Sequence, residues 1–68
     1  MNDQVLNMGI RRFLKEFGIA AQREIERAVE AAVKSGKLDG AHIIHARARL
    51  EIAGLGAFLE IERDIPLD

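Results

Sequence analysis

The spacing of apolar residues changes once along this chain, between Gly36 and Gly40. Before Gly36 the apolar residues recur every three or four positions, which is the spacing of one buried stripe on an α-helix. After Gly40 they alternate with polar residues, which is the spacing of a strand with one buried face. The chain is therefore predicted to be α+β, with a helical half followed by an antiparallel β-hairpin.

A glycine at position 18 divides the helical half. We predict one helix over about 3–17 and a second over about 20–35, because glycine at the C′ position commonly ends a helix. Asn2 or Asp3 is expected to cap the first helix, and Gly36 to end the second. Helices joined by so few residues are expected to form a two-helix hairpin. The predicted buried residues are Leu6, Ile10, Phe13, Leu14 and Phe17 in the first helix and Ile25, Ala28, Val29, Ala32 and Val33 in the second.

The alternating half predicts two strands, over about 45–53 and 58–65, around a turn at 54–57. The predicted register pairs large apolar residues on one face and opposite charges on the other, since both kinds of cross-strand pair stabilise a sheet. The predicted pairs are Ile52–Leu59, Leu50–Ile61, Arg49–Glu62 and Arg47–Asp64.

The length predicts a single domain, residues 1–68, with a small core. A chain this short buries only about 60% of the surface that its unfolded form exposes, so small domains often need a disulfide, a metal or a partner chain. The sequence has no cysteine, which excludes disulfides and thiolate–zinc sites. A two-stranded sheet also leaves two open edges. We therefore predict a homodimer with a four-stranded sheet, and an interface formed by Ala48, Leu50, Ile52, Leu59 and Ile61.

Residues that perform catalysis are scarce. The chain has no Thr, Tyr, Trp or Cys, and Ser35 is its only serine. His42 and His45 are its only histidines, and a strand would direct them to opposite faces, whereas a metal site needs three or four convergent ligands. We predict that the protein is not an enzyme and binds neither a metal nor a cofactor. Its apolar runs are too short for a membrane span, and the lack of cysteine fits the cytoplasm.

Residues 10–30 also allow a second interpretation, a degenerate helix-turn-helix that binds nucleic acid weakly. Residues 1–49 have nine Lys and Arg against six Asp and Glu. The candidate phosphate contacts are Arg11, Arg12, Lys15, Arg23 and Arg27. Glu24, Glu26 and Glu30 lie in the same region and would repel phosphate. The favoured hypothesis is a small protein–protein interaction or accessory module, and nucleic-acid binding is the alternative.

Three segments resemble a family of short bacterial proteins, a domain of unknown function. They are N-M-x-I-R-x-F-L-K at 7–15, Q-R-E-I-E-x-A-V at 22–29, and S-G-K-L-x-G at 35–40. The family has a Thr-Ser pair where this chain has Ala20 and Ala21, so the predicted second helix lacks an N-cap here. The resemblance implies a bacterial cytoplasmic protein with an α+β fold, and it implies no activity or site residue.

Overall fold

The computed structural model describes residues 1–68, and these divide into two compact units, Met1–Leu38 and Asp39–Asp68. The first unit contains one helix, α1 (Asp3–Lys34). The second contains strands β1 (Ile43–Ile52) and β2 (Ala57–Pro66), which pair antiparallel in a two-stranded sheet. The α+β prediction is confirmed, and both strands begin and end within two residues of their predicted bounds.

The predicted two-helix hairpin is wrong, because α1 continues through Gly18 without a break. Gly18 does not adopt a positive φ, so it does not form the left-handed C′ conformation that ends a helix. A glycine inside a helix costs about 1 kcal/mol relative to alanine, and a helix of 32 residues tolerates that cost. The residues that follow, Ile19 to Ala21, offer no side chain that could cap a new helix. The sequence therefore has no N-cap from which a second helix could begin after Gly18.

Both ends of α1 lie where the sequence predicts. The Asn2 side chain accepts hydrogen bonds from the backbone N–H groups of Gln4 (3.0 Å) and Val5 (3.1 Å), so Asn2 is the N-cap. At the other end, Gly36 has φ 78° and donates to the Val33 carbonyl at 3.2 Å. The N–H of Lys37 donates to the Ala32 carbonyl at 2.9 Å. These two bonds are the Schellman motif, and they end the helix at Gly36.

The strand register differs from the predicted one by two residues. The observed pairs include Leu50–Leu59, Ala48–Ile61, Arg49–Glu60 and Arg47–Glu62. The turn occupies residues 53–56 and places Gly54 (φ 80°) and Gly56 (φ 67°) at its second and last positions. The predicted turn at 54–57 would place Ala57 at that last position, where a Cβ disfavours a positive φ. The position of the glycines therefore fixed the register.

The assignment of residues to faces was correct, because a shift of two residues leaves every side chain on its original face. The apolar face of the sheet consists of Ile44, Ala46, Ala48, Leu50, Ile52, Ala57, Leu59, Ile61, Arg63 and Ile65. The charged face consists of Ile43, His45, Arg47, Arg49, Glu51, Phe58, Glu60, Glu62, Asp64 and Pro66.

Neither unit buries a side chain. The large apolar residues of α1 are about half exposed. Large apolar side chains on the apolar face of the sheet are exposed in both strands as well. No helix combines the length and the hydropathy that crossing a membrane requires. The large apolar residues of this fold are therefore exposed rather than enclosed in a core.

Candidate functional site

Apolar residues form a continuous stripe along α1. We call this surface the helix stripe and define it as Leu6, Ile10, Phe13, Leu14, Phe17, Ala21, Ile25, Ala28 and Ala32. Apart from the adjacent residues Phe13 and Leu14, successive positions are three or four residues apart, so they share one side of the helix. The rings of Phe13 and Phe17 stack with their centroids 6.5 Å apart. The first five residues of the stripe are large and between 47% and 51% exposed, whereas three of the last four are alanine.

One charged residue, Glu24, lies at the edge of the helix stripe. Its carboxylate accepts a hydrogen bond from the Arg27 Nε at 3.1 Å and forms an ion pair with the same guanidinium. This hydrogen bond, and then the positive charge of Arg27, lower the pKa of Glu24. Arg27 therefore favours the ionised form of Glu24, and the ion pair lies at the edge of the helix stripe.

The five residues predicted as an interface all lie on the apolar face of the sheet: Ala48, Leu50, Ile52, Leu59 and Ile61. Ile52, Leu59 and Ile61 are between 44% and 52% exposed. Arg63 is the only charged residue on this face, and its guanidinium donates to the Glu62 carbonyl at 2.6 Å. The apolar face is thus an almost uninterrupted hydrophobic surface on a two-stranded sheet.

Ion pairs cover the charged face of the sheet. The Arg47 Nε donates to Glu62 Oε1 at 2.5 Å and lies 3.3 Å from Glu60 Oε1. Arg49 pairs with Glu51 along β1 at 2.9 Å. The Arg49 guanidinium also lies 4.6 Å from the ring centroid of Phe58, within reach of a cation–π interaction. The ion pairs neutralise both arginines of the charged face, and its four carboxylates leave it acidic, which makes it a poor surface for recognising an anionic ligand.

The two histidines contact different carboxylates. His45 Nδ1 lies 3.0 Å from Asp64 Oδ1, and His45 Nε2 lies 3.5 Å from Glu62 Oε2. The hydrogen bond to Asp64, with a smaller contribution from Glu62, raises the pKa of His45. His42 lies outside the strands and pairs with Asp68 at 2.8 Å. No group of three His, Cys, Asp or Glu side chains converges as a metal site would require.

The helix-turn-helix interpretation of residues 10–30 is wrong, because these residues form one uninterrupted helix. Of the five candidate phosphate contacts, Arg27 is paired with Glu24. The other four, Arg11, Arg12, Lys15 and Arg23, lie on the side of α1 away from the helix stripe. Glu16, Glu26 and Glu30 share that side with them. Carboxylates are therefore interspersed with these cations, and no uniformly basic surface forms.

The only serine has a structural contact. The Ser35 hydroxyl donates to the Ala32 carbonyl at 3.2 Å, in the last turn of α1, and no base lies beside it. A nucleophilic serine needs a neighbouring general base within hydrogen-bond reach. Ser35 therefore contributes to the helix C-terminus.

Sequence reasoning missed two contacts on the charged face, the pairing of His45 with Asp64 and the stacking of Arg49 on Phe58. The alternation of His45, Arg47 and Arg49 in β1 was a visible signal. It could be matched to residues of β2 only with the correct register. The two-residue error therefore assigned Asp64 to Arg47 instead.

The fold and its surfaces define a class of protein, a small α+β chain in which a long amphipathic helix and a two-stranded hairpin each expose an apolar surface. The chain belongs to a family of unknown function (DUF6494), whose model matches residues 1–68. The resemblance to a domain of unknown function is thereby confirmed. No curated protein and no solved structure matches the chain.

Proposed function

We propose that this protein is a small non-catalytic interaction module that assembles as a homodimer, with two hairpins joined edge to edge in one four-stranded sheet. The observation that supports this most directly is the lack of any buried side chain in either unit, although 49% of the residues are hydrophobic. An isolated two-stranded hairpin is marginally stable in water, and helices draw most of their stability from packing of their apolar side. We infer that a second copy of the chain covers part of these exposed apolar surfaces.

Charge favours the β1 edge over the β2 edge for this assembly. The outward side of β2 is lined by Glu60, Glu62 and Asp64, so two β2 edges would bring like charges together. β1 instead has Arg49 two residues before Glu51. When two β1 strands pair antiparallel about Leu50, Arg49 of one chain lies opposite the partner's Glu51. Opposite charges directly across a strand pair stabilise it.

The same surfaces support a role in binding rather than in chemistry. The chain lacks Cys, Thr and Tyr, and its single serine is engaged at the end of α1. Such a module would act by holding another protein or by regulating it. We place it in the bacterial cytoplasm: the family resemblance implies a bacterial protein, and a chain with no cysteine has no need of an oxidising compartment.

The mass in solution tests the proposal. Sedimentation equilibrium over a range of concentrations is expected to give twice the chain mass of 7.6 kDa. A mass of one chain at every concentration would overturn the proposal.

Amide hydrogen exchange then tests which edge is used. The Leu67 N–H donates to the His42 carbonyl at 2.8 Å, so residues 42 and 67 form a hydrogen-bonded pair. Such pairs alternate along an antiparallel ladder, so every second residue of β1 directs its amide toward β2. The amides of Arg47, Arg49 and Glu51 lie between these residues and face the open edge of β1. These amides are expected to exchange slowly in the dimer. The outward amides of β2 at residues 60, 62 and 64 are the matched control and are expected to exchange fast. Slow exchange at the β2 positions with fast exchange at the β1 positions would contradict the proposed edge.

Salt dependence separates this function from nucleic-acid binding. Binding of a phosphate backbone weakens steeply as salt rises, whereas an apolar protein interface does not. We expect no salt-sensitive retention of a single-stranded or double-stranded oligonucleotide by the pure protein. Retention at 50 mM salt that is lost at 200 mM would favour the nucleic-acid alternative.

A further inference from the structure

We infer that the helix stripe of α1 pairs antiparallel with the helix stripe of a second copy, in a register where the numbers of facing residues add up to about 38. This inference deepens the proposed function, on which it rests, by identifying the occupant of the helix surface and its orientation. It concerns the helices and is independent of which strand edge the sheets use.

The sizes of the side chains along the helix stripe carry the inference. The N-terminal part, from Leu6 to Phe17, has only large residues, and the C-terminal part, from Ala21 to Ala32, has mainly alanine. In the antiparallel register four of the five large residues face a smaller one, and the fifth, Leu14, faces the partner's Glu24 at the edge of the stripe. The four facing pairs are Leu6 with the partner's Ala32, Ile10 with the partner's Ala28, Phe13 with the partner's Ile25, and Phe17 with the partner's Ala21.

A parallel arrangement would match the sizes badly. Phe13 and Phe17 would face their own copies at one end, while Ala28 and Ala32 would face theirs at the other. Packed helices lie 8–10 Å apart at a distance set by the side chains in contact, so one separation cannot suit both ends. Antiparallel pairing sets a large residue against an alanine in three of the four pairs and Phe13 against the smaller Ile25 in the fourth, so no pair combines two of the largest side chains or two alanines.

The repeat of the stripe suits a long contact. Leu6, Phe17 and Ala28 are spaced by eleven residues, and so are Ile10, Ala21 and Ala32. Eleven residues make three helical turns at about 3.67 residues per turn, which is close to the 3.6 of a straight α-helix. The stripe therefore stays on one side of α1 from Leu6 to Ala32, over a length of about 39 Å at 1.5 Å per residue.

The area of the helix stripe is sufficient for a specific interface. About half of each of the five large side chains is open, or roughly 80–100 Å² per side chain. With Ile25 and the alanines, the stripe offers on the order of 650 Å² per copy, and two copies would bury on the order of 1,300 Å². Stable specific interfaces bury about 1,200–2,000 Å² in total.

Charge at the helix ends agrees with the antiparallel orientation. Asp3 lies in the first turn of α1 and Lys34 in the last. In the inferred register Asp3 lies beside the helix end that contains the partner's Lys34, and the two helix dipoles oppose each other. Both arrangements are electrostatically favourable.

Disulfide formation between single-cysteine variants tests the inference without interference, since the chain has no native cysteine. The variants Ile10→Cys and Ala28→Cys are prepared separately, mixed, dissociated and reassociated, and then oxidised. The mixture is expected to form a 10–28 cross-link between chains, and neither variant alone is expected to cross-link. Residues 10 and 28 of one helix are about 27 Å apart, whereas a disulfide joins Cα atoms less than about 7 Å apart, so no bond can form within a chain.

The control replaces Ile10→Cys with Met8→Cys, which lies on the side of α1 away from the helix stripe. A mixture of Met8→Cys and Ala28→Cys is expected to stay uncross-linked. Cross-linking of Ile10→Cys with itself would show parallel helices or a different antiparallel register, and either would overturn the inference. A dimeric mass with no 10–28 cross-link would also overturn it while leaving the proposed homodimer intact, and a monomeric mass would overturn both.

Discussion

The helix pairs its charges with neighbours in sequence, whereas the hairpin pairs most of its charges across the two strands, with residues far along the chain. In α1, Glu24 pairs with Arg27 and Glu30 with Lys34, three and four residues away. In the hairpin, Arg47 pairs with Glu62, 15 residues away. Local pairs form in any helix that includes both residues, but the hairpin pairs depend on where the turn lies. Sequence patterns are therefore a safer guide to the charge pairs of α1 than to those of the sheet.

The largest effect is expected from a charge on the apolar face of the sheet. Leu50→Asp is predicted to abolish assembly, because the proposed β1 pairing places residue 50 of the two chains directly opposite each other. Loss of the apolar cross-strand contact and repulsion between the two carboxylates would each cost on the order of 1 kcal/mol. Sedimentation equilibrium and far-UV circular dichroism measure assembly and folding. Leu50→Ile, which keeps an apolar side chain at the same position, is the matched control. A Leu50→Asp variant that is folded and fully dimeric would contradict the assigned interface.

Two glycines of the helical unit should respond to alanine in opposite directions. Gly18→Ala is predicted to stabilise α1 by about 1 kcal/mol, because Gly18 lies in continuous helix with open space around the added Cβ. Gly36→Ala is predicted to destabilise the helix end by about 1 kcal/mol, because Gly36 has φ 78°. Thermal unfolding followed at 222 nm gives both changes. A loss of stability in Gly18→Ala would indicate a turn at Gly18, as in the two-helix hairpin that the sequence suggested.

A smaller effect distinguishes the observed strand register from the predicted one. A double-mutant cycle on Arg47 and Glu62 is expected to give a coupling of about 0.5 kcal/mol, since both side chains are largely exposed and screened by water. The same cycle on Arg47 and Asp64 should give a coupling near zero. Denaturant unfolding of the single and double alanine variants supplies the energies. A larger coupling for Asp64 than for Glu62 would restore the predicted register.

The smallest effect is a pH dependence of the hairpin. Because Asp64 and Glu62 raise the pKa of His45 in the folded state, protonated His45 stabilises the hairpin. This contribution is fully present below the unfolded pKa of about 6.5, and it is lost as pH rises through the higher folded value. Thermal unfolding between pH 5 and pH 8 should show slightly lower stability at the upper end. His45→Asn should remove that slope, and a slope that persists in the variant would assign it to another group.

Much of the fold could be predicted because its signals are local. The Asn2 cap needs only the two N–H groups that follow it, and the Gly36 end needs only the turn that precedes it. Gly18 gave an ambiguous signal, since a glycine can end a helix or lie within one at a modest cost. The absence of a capping residue at Ala20 and Ala21 was visible in the sequence and favoured continuity.

The candidate surfaces were predictable in composition but only partly in arrangement. All five residues assigned to the sheet interface lie on the apolar face, because alternation alone fixes the face of each residue. The helix stripe was predicted as two separate stripes. Its continuity from Leu6 to Ala32, and with it the separation of large from small residues along one helix, emerged only once α1 was seen to be unbroken.

The sequence by itself determined the types of element, the two ends of the helical half and the two faces of the sheet. Each of these depends on spacing or on a cap within a few residues. The tertiary structure decided two things, that the helix passes through Gly18 and that Leu50 lies opposite Leu59. A period of two is unchanged by a two-residue slip, so apolar alternation could not choose between the two registers. The choice was made by the backbone of the turn, where the last position requires a positive φ and Gly56 adopts it without strain.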